Sequence, residues 1–160
     1  MKKTNAMRLI EAAGVDYEEF EYDASLGISG TDVARTLNED VNMVFKTLVT
    51  ETNKEEHFVF ILPVAMELDL KKAAKAAGAK KVDMLKQRDL LPLTGYVHGG
   101  CSPIGMKTKL KTFIDASAMD QEYIYVSGGK VGLQIKLSPE DLIELTDATA
   151  IDIVKSAVLQ

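Results

Sequence analysis

Four side chains in this 160-residue sequence sit where chemistry could be argued from type and spacing: Lys46, His98, Cys101 and Ser102. Lys46 falls inside the apolar run Val44-Phe45-Lys46-Thr47-Leu48-Val49. A cation in a strand that is apolar on both faces is costly unless something pairs with it. Two readings stand: a lysine that snorkels from an edge strand or pairs with a carboxylate, and a cleft lysine that holds a substrate oxygen or phosphate. Cys101 and Ser102 lie in Gly99-Gly100-Cys101-Ser102-Pro103-Ile104-Gly105, where three glycines and a proline interrupt a strand-like run. Such a loop can turn several N–H groups toward an oxyanion or phosphate, or it can be a wide turn and nothing more. No spacing fixes a Cys-His pair, so Cys101 reads more readily as a small apolar filler than as a nucleophile. His98 reads as structural or exposed. Ser102 lacks the strand-turn-helix setting of a hydrolase nucleophile elbow.

Composition narrows the classes. One cysteine excludes an internal disulfide framework, and His57 and His98 stand too far apart for zinc-ligand spacing. P-loop, dinucleotide and metal motifs are absent, so neither a metal nor a cofactor is expected. No apolar run approaches membrane-spanning length and no signal peptide is evident, which makes a soluble cytoplasmic protein the expectation. The net charge of −5 argues against general nucleic-acid binding. Its distribution qualifies that: Lys71 to Lys111 holds ten Lys/Arg against Asp83 and Asp89, a basic block in an acidic chain. It reads either as a polyanion surface or as solvated helix faces.

The elements that must position these residues follow from periodicity and punctuation. Thr4 caps a helix to about Ala13, with Met7 and Ile10 as its inward residues, Leu9 as an optional third and Gly14 as its stop. Tyr17 to Tyr22 alternates as a strand, Asp23 to Gly30 is a loop, and a short helix covers Asp32 to Leu37. Val44–Val49 and His57–Leu62 form a hairpin of buried strands, and Asp69 or Leu68 opens a lysine-rich helix ending at Gly78. A strand near Val82, a helical turn from Met84 to Leu90 and a strand from Thr94 to His98 lead to the glycine loop. Strands over Lys109–Asp115, Glu122–Ser127 and Lys130–Leu137 follow, the last two joined by Gly128-Gly129 as a two-residue turn. Ser138-Pro139-Glu140-Asp141 is a capping box opening a helix over Leu142 to Thr146, and a last strand covers Ala150 to Val154. The pattern predicts one α/β domain over residues 1–160: a mixed, mostly antiparallel curved sheet or β-barrel with helices packed around it.

Three stretches carry a resemblance. Val44-Phe45-Lys46-Thr47-Leu48, Gly99 to Lys107 and Val126-Ser127-Gly128-Gly129-Lys130-Val131-Gly132-Leu133 occur in the order and spacing of the YbaK family, the free-standing Cys-tRNA(Pro) deacylases related to the editing domains of prolyl-tRNA synthetases. The resemblance implies the family's mixed barrel and hydrolysis of the ester that joins a mischarged cysteine to proline tRNA. Small side chains of similar volume are separated by only about 1–3 kcal/mol in a pocket, so a synthetase for proline needs a second site to remove cysteine. In the family's proposed chemistry the enzyme supplies no nucleophile; the substrate thiol attacks its own ester. By position, Lys46 would then hold the substrate carbonyl or terminal phosphate. Gly99, Gly100, Cys101, Ser102, Pro103 and Gly105 would form one loop of the pocket, Ser127 and Gly128 a second, and Tyr22 and Thr47 further wall. The implied partners are the aminoacylated end of tRNA and, optionally, prolyl-tRNA synthetase, with a monomer or weak dimer as the working state. Met106-Lys107-Thr108 after the loop favours the cysteine branch over the alanine one. A deacylase for another small amino acid, or a tRNA-binding module without catalysis, are the competing readings.

Overall fold

The computed structural model describes residues 2–26 and 30–156. In chain order the elements are α1 (Asn5–Ala12), β1 (Glu18–Glu21), α2 (Gly30–Leu37), β2 (Phe45–Glu51), β3 (His57–Pro63), α3 (Leu70–Ala77), β4 (Asp83–Met84), α4 (Gln87–Thr94), β5 (Lys111–Asp115), β6 (Ile124–Ser127), β7 (Leu133–Leu137), α5 (Pro139–Thr146) and β8 (Thr149–Ile151), with short 3₁₀ turns at Ala24–Leu26, Val41–Met43 and Ala116–Asp120.

The strands form two sheets. One is antiparallel with order β1-β7-β6; the other is mixed with order β4-β2-β3-β5-β8, antiparallel as far as β3 and parallel beyond it. A single parallel bridge, Val44 to Tyr125, joins the start of β2 to β6, so the sheets curve into one another. This is the mixed, curved architecture expected from the pattern.

β3 explains why the second sheet is central. Val59 and Ile61 face a core shared with Ile124, Val126 and Ile135 of the first sheet and with Ala6 and Ile10 of α1. Phe58, Phe60 and Leu62 face the opposite way, onto Phe113 and onto Ala73 and Ala74 of α3. A strand covered on both sides must be apolar on both, and His57–Pro63 therefore reads as a continuous run without alternation. Phe60 stacks on its cross-strand partner Phe113 with centroids 5.4 Å apart.

Helix ends follow the expected chemistry. Thr4 Oγ1 accepts from the Met7 N–H at 3.2 Å, Asp69 accepts from the N–H groups of Lys71 and Lys72, and Ser138 Oγ accepts from Asp141 N–H at 3.1 Å with Pro139 at the first helical position. Each cap satisfies donors that have no partner within the helix.

Several boundaries differ from the expectation. Leu9 is 45% exposed rather than inward, because Ala6, Met7 and Ile10 already fill the buried stripe of α1. Thr94 to His98 is not a strand. α4 runs through Pro92 to Thr94, Gly95 closes it in the left-handed conformation, and Tyr96 turns inward while Val97 and His98 stay exposed. Tyr and Val carry strand propensity, but the helix cap and the burial of one aromatic ring decide the conformation. The β6–β7 connection is also longer than two residues. Gly128 N–H bonds to Leu133 O at 2.9 Å, leaving Gly129 to Gly132 as the loop, and of the glycine pair only Gly129 has positive φ. The strand near Val82 is β4, and the last strand ends at Ile151. Of the loop expected after β1, residues 27–29 lie outside the described residues.

Candidate functional site

A cavity of about 210 Å³ opens where the two sheets meet, against β2. Its position follows from strand pairing. Val64 N–H donates to Val44 O, which makes 44/64 a hydrogen-bonded pair; by the alternation of an antiparallel ladder 46/62 and 48/60 are the same. The N–H and C=O of Thr47 therefore point away from β3. β4 covers that other edge of β2 only at Thr50 and Glu51, with Leu85 N–H on Val49 O at 3.0 Å. Between the Val44–Tyr125 bridge to β6 and the pairing with β4 at Thr50, no named strand pairs with this edge among the described residues, and the cavity lies against it.

Because the edge is open, both faces of β2 border the space: Lys46 and Leu48 from one, Phe45 and Thr47 from the other. Tyr22, just after β1, and Ser127 and Gln134, from β6 and β7, form the facing wall. Gly99, Cys101 and His98 come from the glycine loop, and Val33, Val44, Val64 and Leu90 supply apolar contact.

Lys46 is half-buried and, among the described residues, makes no hydrogen bond or ion pair. Burial lowers its pKa; the carboxylate of Glu67 acts in the opposite direction, more weakly. Glu67 is itself engaged by Lys155 at 3.0 Å, so it does not neutralise Lys46. The result is a partly desolvated cation lining the cavity, able to receive an oxyanion, a carbonyl or a phosphate.

Cys101 is 8% exposed, and burial pushes its thiol up to about 11, so at neutral pH it is a neutral thiol and a poor nucleophile. Ser127 Oγ accepts from Gly129 N–H at 3.2 Å, which fixes the turn.

Three side-chain polar atoms are buried without a hydrogen-bond partner among the described residues: Tyr22 Oη, Thr47 Oγ1 and Gln134 Oε1. All three belong to residues that line this cavity. Buried polar groups are nearly always paired, so three exceptions among the residues of one cavity call for an explanation.

The residues expected from the sequence divide. Lys46, Tyr22, Thr47, Gly99, Cys101 and Ser127 come together on the cavity. Gly100, Ser102, Pro103, Gly105 and Gly128 pack behind it. A Cβ on Gly100 would stand 2.7 Å from Val131 N, and one on Gly128 2.7 Å from Leu133 Cγ. Ser102 Oγ accepts from Ile104 N–H, and Ile104 O accepts from Tyr96 Oη at 2.7 Å. Gly105 O accepts from Asn5 Nδ2 at 2.7 Å and Gly128 O from Thr4 Oγ1 at 2.6 Å, so α1 clamps both loops from behind. Gln134 escaped sequence reasoning. In Leu133-Gln134-Ile135-Lys136-Leu137 it looks like one of two solvent-facing polar residues, yet it is only 6% exposed. His98 lines the cavity mouth, and no spacing pointed to that.

The cavity thus brings together, among the described residues, a cation without an ion pair, a stretch of strand edge outside the named pairings and three residues with unpartnered side-chain oxygens. Comparisons with known proteins give the family. The profile of the aminoacyl-tRNA editing domain matches residues 29–145. A proposed Cys-tRNA(Pro)/Cys-tRNA(Cys) deacylase of Enterococcus faecalis is 48% identical over 147 residues, 91% of this chain and 90% of that protein. The proline–tRNA ligase of Brachyspira hyodysenteriae is 25% identical over 105 residues, which span 66% of this chain but only 18% of the ligase. The crystal structure of a proposed trans-editing enzyme for prolyl-tRNA synthetase shares the fold, with a TM-score of 0.86 at 24% identity, over 98% of this chain and 100% of that one. The chain belongs to the aminoacyl-tRNA editing domain family, in its YbaK branch.

Proposed function

We propose that the protein is a trans-editing deacylase that cleaves the ester of Cys-tRNA(Pro), with the whole chain acting as a single editing domain. The observation that carries this is the pairing of an unneutralised Lys46 with a buried, protonated Cys101 in one cavity. The pocket holds an electrophilic anchor and lacks a nucleophile of its own, which suits a substrate that supplies the sulfur. A thiol is intrinsically far more nucleophilic than a hydroxyl and is partly ionised near neutral pH. In the reaction the substrate sulfur bonds to its own ester carbonyl carbon, the bond from that carbon to the ribose oxygen breaks, and the oxygen leaves with a proton. The products are tRNA and a cyclic thiolactone that water later opens.

Lys46 holds the carbonyl or the terminal phosphate, with Thr47 beside it on the cavity. Developing charge on the carbonyl oxygen is what such preorganised donors stabilise. Tyr22, Thr47, Gly99, Cys101 and Ser127 form the pocket wall. The tRNA backbone runs over a groove between α3 and the segment leading to β4, where Lys71, Lys75, Lys80 and Lys81 converge on the same face of the sheet as Lys46. Such contacts carry affinity rather than sequence preference. We assign the protein to the cytoplasm, as a monomer or weak dimer working beside prolyl-tRNA synthetase; among the described residues no helix is long and apolar enough to cross a membrane.

Turnover of Cys-, Ser- and Ala-charged tRNA(Pro) tests the assignment. Thiol-assisted cleavage requires fast release of cysteine and almost none of serine. Equal release of serine and cysteine, or salt-sensitive tRNA binding with no release of any amino acid, overturns it.

A further inference from the structure

The three unpartnered oxygens carry more than the reading of Lys46 uses. Tyr22 Oη and Thr47 Oγ1 can each donate or accept, but the carboxamide oxygen of Gln134 only accepts. Gln134 sits on the central strand of the three-stranded sheet, between Phe20 and Ser127, and its side chain is almost wholly enclosed. With the carboxamide oriented as it stands, a ligand that completes the site brings a hydrogen-bond donor to Gln134 Oε1 and can donate to or accept from the two hydroxyls.

The cavity is asymmetric in charge. Lys46 is the only cation among its strand residues, and the described lining contains no carboxylate. Acceptor atoms of a ligand are drawn to Lys46, while a ligand cation is repelled by it and settles on neutral oxygens. An aminoacyl ester has both ends: a carbonyl that accepts, and an α-amino group with up to three N–H donors. Three oxygens match three donors, whereas a ribose hydroxyl would supply one.

Resting on the editing-pocket reading, we infer that Tyr22, Thr47 and Gln134 form a subsite for the α-amino group of the substrate, with Gln134 as a specificity-determining residue that orients the aminoacyl group against Lys46. The subsite reads the group common to all amino acids, so discrimination among side chains falls to the substrate's own reactivity and to the apolar wall.

The test pairs a change in the protein with a change in the ligand. Amide-linked cysteinyl-tRNA(Pro) and its 3-mercaptopropionyl counterpart, which lacks the α-amino group, are titrated against the wild type, Gln134→Met and Tyr22→Phe, and the corresponding esters are assayed for release. The wild type is expected to bind the cysteinyl form about 10- to 100-fold more tightly, the range set by one or two buried hydrogen bonds. Gln134→Met should lose most of that preference while its affinity for the 3-mercaptopropionyl form stays within a few-fold. Tyr22→Phe, which keeps the ring, should narrow the preference in the same sense and guards against misfolding of the first variant. Equal binding of the two ligands by the wild type, binding of neither, or a parallel loss for both in both variants overturns the inference. If the wild type prefers the cysteinyl amide yet releases no cysteine from the ester, the deacylase reading fails and the α-amino subsite stands.

Discussion

Lys46 and Thr47 are adjacent in β2 and point to opposite faces of the sheet, yet both residues line one cavity. In a strand paired on both edges this is impossible, since a sheet separates its two faces. The open edge beside Thr47 removes the barrier. A cation from one face, a hydroxyl from the other and the backbone between them become three neighbouring contacts within two residues.

Replacing Lys46 tests the anchor. Lys46→Ala is expected to lower kcat/KM for release of cysteine from Cys-tRNA(Pro) by about 10²- to 10³-fold, the loss that follows removal of one preorganised electrostatic contact. Thermal unfolding should be little changed, because the Lys46 side chain makes no hydrogen bond or ion pair among the described residues. A variant with full activity would remove the residue on which the mechanism rests.

The lowered pKa of Lys46 has a stability consequence with a definite sign. In the unfolded chain the amine titrates at its ordinary value of 10.5; in the folded protein, below it. At neutral pH both states are charged and the burial penalty is fully present. Between the two pKa values the unfolded chain holds more protons, so stability rises with pH, and above 10.5 the penalty is gone. Lys46→Met should thus be more stable than the wild type at neutral pH, by a margin that shrinks as pH rises. Urea midpoints of both proteins from pH 7 upward measure it.

Cys101 is expected to be dispensable for turnover. Cys101→Ala should retain kcat/KM within a few-fold and cost about 1 kcal/mol of stability, since a small buried group is removed. The native thiol should react with iodoacetamide only slowly at neutral pH and rapidly once the chain is unfolded. A loss of activity as large as that of Lys46→Ala would restore an enzyme nucleophile.

The lysine groove should act on tRNA and not on the chemistry. Lys75→Glu combined with Lys80→Glu is expected to raise KM for charged tRNA and to flatten the slope of log affinity against log salt, by about one for each phosphate no longer neutralised. Cleavage of a short cysteinyl ester without the acceptor stem should be unaffected. Equal losses on both substrates would place these lysines in the fold instead.

Gly100→Ala should destabilise the protein by about 1–3 kcal/mol, because its Cβ would meet the rigid backbone of Lys130 and Val131 at 2.7 to 2.9 Å. Denaturant unfolding reads this directly. Activity measured well below the new midpoint would report how far the loop displaces Cys101.

What could be read beforehand depended on how local its cause is. Thr4, Asp69 and Ser138 act on N–H groups two or three residues away, so their helices were legible, and the β2–β3 pair announced itself as two apolar runs. Tyr96 and Gln134 were not legible. Tyr96 is turned inward by a carbonyl eight residues on, and Gln134 is enclosed by β1 and β6, which no window along the sequence contains. At the site, Lys46 stood out because a cation is wrong for its surroundings, while a glutamine in an alternating strand is ordinary. Ser102 and Gly105 drew attention by type but serve the carbonyls and amides behind the pocket.

The hydroxyl of Thr4 both caps α1 and bonds to Gly128 across 124 positions of chain. During synthesis that bond waits until Gly128 has left the ribosome, long after the helix it meets was made. The back of the pocket is therefore finished late, and a truncated chain would carry Lys46 on its strand without the wall opposite.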